Sequence, residues 1–352
     1  LGAGATAISD LTRAGRRLSW RHALWLAAPV LFWLALRKIP LDQLGAALRR
    51  LTVLQIATIL LVNLGVVALL NGRWWAILRA QGCRCNLLAL LPIRLAAFSI
   101  SYFTPGTHLG GEPLQAYLLH KRHGVAATSA AASVVLDKSL ELQVNSAFLG
   151  LGVWVVTRLG WMPPVTSAAI AFLAAVLFLG PIVYSVAVAS GRQPASSLLR
   201  RLGWGRNPAW AGRIEQVGEA ERHVGEFLRT QRLGLAAALL LSILAWLALA
   251  GEYWLMTQFL RLDLDLASTI GSLTAARLAI LVPVPAALGV LEASQVAALS
   301  LVGRLAAEGA ALGLLIRARD VSFGATGIAL GAALLRRQSP SRRGVPRALD
   351  RP

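Results

Sequence analysis

Residues 101–122 read Ser-Tyr-Phe-Thr-Pro-Gly-Thr-His-Leu-Gly-Gly-Glu-Pro-Leu-Gln-Ala-Tyr-Leu-Leu-His-Lys-Arg, and this stretch constrains the chain more than any other. It lies among apolar runs long enough to cross a bilayer. Yet Pro105, Gly106, Gly110, Gly111 and Pro113 interrupt it, and Glu112 puts a carboxylate near its middle. Hydrocarbon satisfies no broken backbone and strongly disfavours a lone charge. Such a segment persists only where protein or a wet cavity surrounds it. A counterpart occupies 282–295, Val-Pro-Val-Pro-Ala-Ala-Leu-Gly-Val-Leu-Glu-Ala-Ser-Gln. Pro105, Glu112 and Gln115 are spaced as Pro285, Glu292 and Gln295 are. Two interrupted segments at matching places in two halves point to a membrane transporter's binding region. Two unrelated kinked helices are the other reading, since membrane helices tolerate Pro and Gly.

The rest of the chain is equally apolar. It is 56% hydrophobic and only 14% charged, with mean hydropathy +0.62, against about 25% charged in a soluble domain. Apolar runs recur along all 352 residues, which predicts an all-α, polytopic transmembrane bundle. Net charge is +19, and only Lys38, Lys121 and Lys138 among the 35 basic residues are lysines. This charge sits mostly in tails and loops, where it sets topology and meets anionic headgroups. No basic-aromatic surface module appears, so nucleic acid is not an expected partner. Cys83 and Cys85 are a poor disulfide pair and too few for a metal site. With no Walker loop, His-Glu-x-x-His or nucleophile elbow, neither a cofactor nor a catalytic residue is assigned.

The topology follows from the punctuation. A basic tail precedes a first span at 20–36, with no small-residue cleavage site after it, so the helix is expected to be retained. An amphipathic stretch at 39–51 is placed at the interface. A second span covers 53–70, with Arg73, Arg79 and Arg84 beyond it on the cytoplasmic side. The first broken pair has arms at 87–103 and from near Glu112 to 120; Pro113 suits a first helical turn. Charged spans follow at 125–156 and 306–335, and plain spans at 167–189 and 233–256. The second broken pair covers 267–302. The polar insert 191–232 carries eight arginines against four glutamates, which places it in the cytoplasm as an amphipathic helix on the membrane or on the protein. Span, hairpin and charged span thus occur twice, over 53–157 and 233–335, in opposite orientation. That is an inverted repeat with six crossings, and both termini, including the basic tail 336–352, lie inside. Whether each broken pair is a re-entrant hairpin or two tilted spans stays open.

Ionisable residues at membrane depth are functional candidates by default. Arg94 and Arg277 sit in corresponding first arms and could grip phosphate oxygens in two places. Gly110, Gly111 and Gly289 allow close approach to the backbone, and a helix N-terminus attracts a phosphate. Glu112 and Glu292 could hold an ammonium, take up protons or neutralise the arginines. Lys138, Arg317 and Arg319 complete the charged set; Asp137, Glu141 and Asp320 accompany them. Pro105, Gly106, His108 and Pro285 shape the tips. The alternative for all of them is mutual pairing that braces the bundle. Twin acidic hairpins are expected to wall one hydrated chamber.

At 104–113 and 283–292 the chain resembles the transmembrane region of lysylphosphatidylglycerol synthase, a flippase-like family. The resemblance runs from the second span to the sixth. The second motif departs from it, having Ala286 and Ala287 where the family commonly has Gly-Gly. Full-length synthases carry a soluble aminoacyl-transfer domain that these residues lack. The resemblance therefore implies lipid handling: movement of a polar-headed phospholipid or lipid-linked intermediate between leaflets, without ATP, in the cytoplasmic (inner) membrane of a bacterium. Membrane lipids are the expected partners. The rival readings are an intramembrane lipid-modifying enzyme with Glu112 as base, and a non-catalytic partner that docks a lipid-modifying enzyme through 191–232.

Overall fold

A computed structural model of the chain describes residues 33, 40–104, 110–204 and 208–336. The expected first span, the basic tail, and Pro105, Gly106 and His108 lie outside or almost wholly outside those residues. The described part is helical throughout, with no strand.

Helix α1, Leu41–Arg49, buries Leu44 and Ala47 against the last helix, so this amphipathic stretch rests on protein. Helix α2, Val53–Ala80, starts from a capping box between Thr52 and Gln55 and runs 28 residues. It corrects the expectation for Arg73. The hydropathy falls after Leu70, but the helix continues, and Arg73 is 1% exposed inside the protein instead of facing the cytoplasm. Helix α3, Leu87–Phe103, and helix α4, Glu112–His123, form the first broken pair. Helix α5, Ala127–Arg158, and helix α6, Pro164–Ala189, are long antiparallel neighbours. The insert folds as α7, Pro194–Arg201, and α8, Pro208–Thr230. The apolar stripe of α8 (Ile214, Val224, Phe227) is buried on α5 and α6. Helix α9, Arg232–Phe259, leads to α10, Leu266–Leu281; a tight turn at Pro285–Ala287 joins α10 to α11, Val290–Ser300. Helix α12, Ala306–Arg336, closes the described part.

Four of these helices, α2, α5, α6 and α9, are long and apolar enough to cross a membrane. Helix α12 has 31 residues, a length of roughly 46 Å, but carries Glu308, Arg317, Arg319 and Asp320. The 12 residues of α4 and 11 of α11 fall well short of the ~20 that a span needs. Each broken pair therefore joins a medium arm to a short one.

The packing exchanges partners between the first and second parts of the chain. Helix α2 lies along α9, α3 lies on α12, and α10 lies on α5. Close approach at these crossings depends on glycine. A Cβ at Gly327 of α12 would sit 2.1 Å from the Leu95 carbonyl oxygen of α3, and one at Gly152 of α5 would sit 2.0 Å from the Thr274 hydroxyl of α10. Helix α3 also meets the Pro285–Ala287 turn, so the two broken segments are neighbours.

Candidate functional site

Two ionic networks occupy the middle of the bundle. In the first, Arg73 on α2 donates from Nε to Asp137 Oδ1 (2.6 Å) and from Nη2 to Glu141 Oε2 (3.0 Å). Arg94 on α3 donates to Asp137 Oδ2 at 3.2 Å. Lys138 donates to Glu141 Oε1 at 2.8 Å and lies 3.4 Å from Glu112 Oε1. Carboxylates four apart on one face of α5 thus collect cations from α2 and α3. Glu112 also turns back on its own loop, accepting the Gly110 N–H at 2.7 Å, while Gly111 donates to Ser101 Oγ at 2.9 Å. A Cβ at Gly111 would lie 2.0 Å from the Ala97 carbonyl oxygen, so only glycine lets the tip close on α3.

In the second network, Arg317 on α12 holds Glu292 through Nε and, at 2.9 Å, through Nη2. The same guanidinium donates to the carbonyls of Ala286 (2.9 Å) and Ala287 (3.2 Å). Glu292 accepts the Gly289 N–H at 3.0 Å, closing the first turn of α11. Ala286 and Ala287 take φ of 51° and 48°, and Gly289 takes 77°. The left-handed turn therefore forms without the Gly-Gly pair, held from above by Arg317. Arg319 pairs with Glu252 on α9 at 2.9 Å and with Asp320 at 2.7 Å. Asn63 on α2 donates to the same Glu252 oxygen at 2.9 Å, and the other oxygen, Oε1, is buried without a hydrogen-bond partner.

Arg73, Arg94 and Lys138 face Glu112, Asp137 and Glu141; Arg277, Arg317 and Arg319 face Glu252, Glu292 and Asp320. Each set balances three charges against three. Eleven of these twelve groups have an ion pair. Arg277 is the exception among the described residues. Its guanidinium lies 5.1 Å over the Trp246 ring, which itself stacks on Phe148.

The structure thus brings Arg94, Glu112 and Lys138 together, and likewise Glu292, Arg317, Pro285 and Gly289. The two acids differ. Glu112 is partly open and lines a cavity of about 420 Å³ with Lys138, Pro181 and Tyr184. Glu292 is 0% exposed and enclosed by its partners. Sequence reasoning missed Arg73 and Glu252 as site members. One signal pointed to them: the same offset in the sequence separates Arg73 from Glu252, Lys138 from Arg317, Glu141 from Asp320 and Gly152 from Gly331.

Helices that expose apolar side chains outward and enclose a dozen ionisable groups inward, around two broken pairs whose second arms are too short to span, define a multi-pass integral membrane protein. Residues 19–327 match the family described as the Lysylphosphatidylglycerol synthase TM region, and the chain belongs to that family. It is also similar to a UPF0104 membrane protein of Methanothermobacter thermautotrophicus, with 29% identity over 99 residues. That alignment covers 28% of this chain and 29% of the relative. No solved structure matches the chain.

Proposed function

We propose that the protein moves a polar-headed phospholipid, or a lipid-linked intermediate, between leaflets without ATP. The observation that carries this reading is Arg277. A guanidinium has five N–H donors, and this one balances its network only at a distance: its described contact is an aromatic face, with no carboxylate paired to it among the described residues. An unpaired cation in a low-dielectric interior is costly. A lipid phosphate is the group whose charge and geometry complete it best. The exchanged packing of α3 on α12 and α10 on α5, with the repeated offset of their charges, supports a two-fold arrangement in which one half moves against the other. In this reading the insert and both termini face the cytoplasm of a bacterial cell, and the protein itself makes no lipid.

The test is leaflet exchange of a fluorescent phospholipid in proteoliposomes. Arg277→Gln is expected to slow exchange at least about tenfold, a loss of roughly 1.4 kcal/mol, without lowering Tm, because no ion pair is lost. Wild-type protein no faster than empty liposomes, or Arg277→Gln at the wild-type rate, rejects the proposal.

A further inference from the structure

The networks leave one feature of α5 unused. Beside the cavity at Glu112 and Lys138 lies a second, of about 530 Å³, bounded by Thr128, Arg213, Gln216 and Glu219, and the two share Val135 and Tyr184 as walls. On α5 the lining positions 128, 131, 135, 138 and 142 recur at steps of three and four, which is one helical face. At 1.5 Å per residue that face runs roughly 21 Å, more than half of a ~30 Å hydrocarbon core. Helix α6 forms the facing wall, where Gly180 and Pro181 keep it low. Helix α8 of the insert covers the far end.

Both ends of this groove carry one base and one acid. Lys138 and Glu112 stand at the inner end, Arg213 and Glu219 at the outer one. Lys138 and Glu112 hold each other and also Glu141 and the Gly110 N–H, so a headgroup there would share them; a third acid, Glu221, accepts the N–H groups of Ala195 (2.8 Å) and Ser196 (3.1 Å) at the start of α7. Elsewhere the wall is aliphatic: Val134 and Val135 lie towards the second cavity and Leu142 continues the face beyond Lys138. An elongated apolar wall with a mixed-charge group at each end complements a molecule that has a hydrocarbon chain and a headgroup bearing both signs.

We infer that the groove between α5, α6 and α8 is a lateral binding site for a zwitterionic phospholipid carrying a phosphate and a primary ammonium. The phosphate meets the lysine or arginine, the ammonium meets the glutamate, and an acyl chain lies along the Val135 wall. The insert then serves as the outer lip of the site. This deepens the translocation reading and rests on it for its purpose, but binding is measured separately from movement.

The experiment is lipid retention by the purified full chain, delipidated in detergent, then mixed with phosphatidylethanolamine or phosphatidylglycerol and read by native mass spectrometry. Wild type is expected to hold phosphatidylethanolamine at least about tenfold more tightly than phosphatidylglycerol. Val135→Trp fills the shared wall and is expected to lower that retention about tenfold. Leu151→Trp, on an exposed position of the same helix outside the groove, leaves it unchanged. Arg213→Glu, at an exposed site where folding is not at stake, also lowers retention severalfold. Equal or better binding of phosphatidylglycerol, unchanged retention in Val135→Trp and Arg213→Glu, or an equal loss in Leu151→Trp overturns the inference. Groove-dependent retention in a protein that exchanges no lipid would sink the transport reading and leave this site standing.

Discussion

Replacing Glu292 with alanine isolates the strongest energetic claim about the second hairpin. The carboxylate accepts twice from Arg317 and once from the Gly289 N–H. Each charge-assisted bond contributes about 1.5–3 kcal/mol, and loss of the N-terminal cap costs about 0.5–2 kcal/mol. Arg317 would remain 8% exposed, keeping the two carbonyls but losing the carboxylate that holds it through two nitrogens. Breaking a buried pair from one side typically costs about 3–5 kcal/mol, mostly the penalty of the stranded ion. We expect Glu292→Ala to destabilise by about 4 kcal/mol on that basis. Glu292→Ala combined with Arg317→Met removes the stranded charge as well, so the double variant should be less destabilised than the single, by about 2 kcal/mol. Equilibrium unfolding in mixed micelles, followed by tryptophan fluorescence, measures both. A loss under about 1 kcal/mol for Glu292→Ala, or a double variant worse than the single, would refute the reasoning.

Ala286→Gly relieves a left-handed φ that disfavours an L-residue by about 1–2 kcal/mol and frees the unfolded chain by about 0.4–1 kcal/mol; the same unfolding assay should show a net gain of up to about 1 kcal/mol. Gly111→Ala drives a methyl into the Ala97 carbonyl, and a loss of at least about 1–3 kcal/mol is expected, with faster proteolysis of the first hairpin as the check. Gly327→Ala should behave alike by separating α12 from α3, read as a lower Tm. Glu252→Gln keeps an oxygen for Asn63 but removes the charge that Arg319 faces. Arg319 keeps Asp320, so the same unfolding assay should show a loss of about 1–3 kcal/mol, smaller than that of Glu292→Ala.

The elements themselves were written in the linear sequence. The arms at 87–103, 112–123, 266–281 and 290–300 end where Pro, Gly and polar caps interrupt apolar runs, because hydropathy and backbone conformation are local properties. The repeated Pro, Glu and Gln spacing likewise marked both hairpins. Tertiary structure alone decided which charges meet. Arg73 looked like a flanking arginine because the polar fall after Leu70 resembles a membrane edge; it is interior because Asp137 and Glu141, more than 60 positions away, give its helix a reason to continue. Glu112 and Glu292 were equivalent by spacing, yet one opens to a groove and the other is sealed by Arg317. Burial and pairing depend on which helix faces which, and that is set by glycine-mediated crossings between α5 and α10 and between α3 and α12, whose partners lie far apart along the chain.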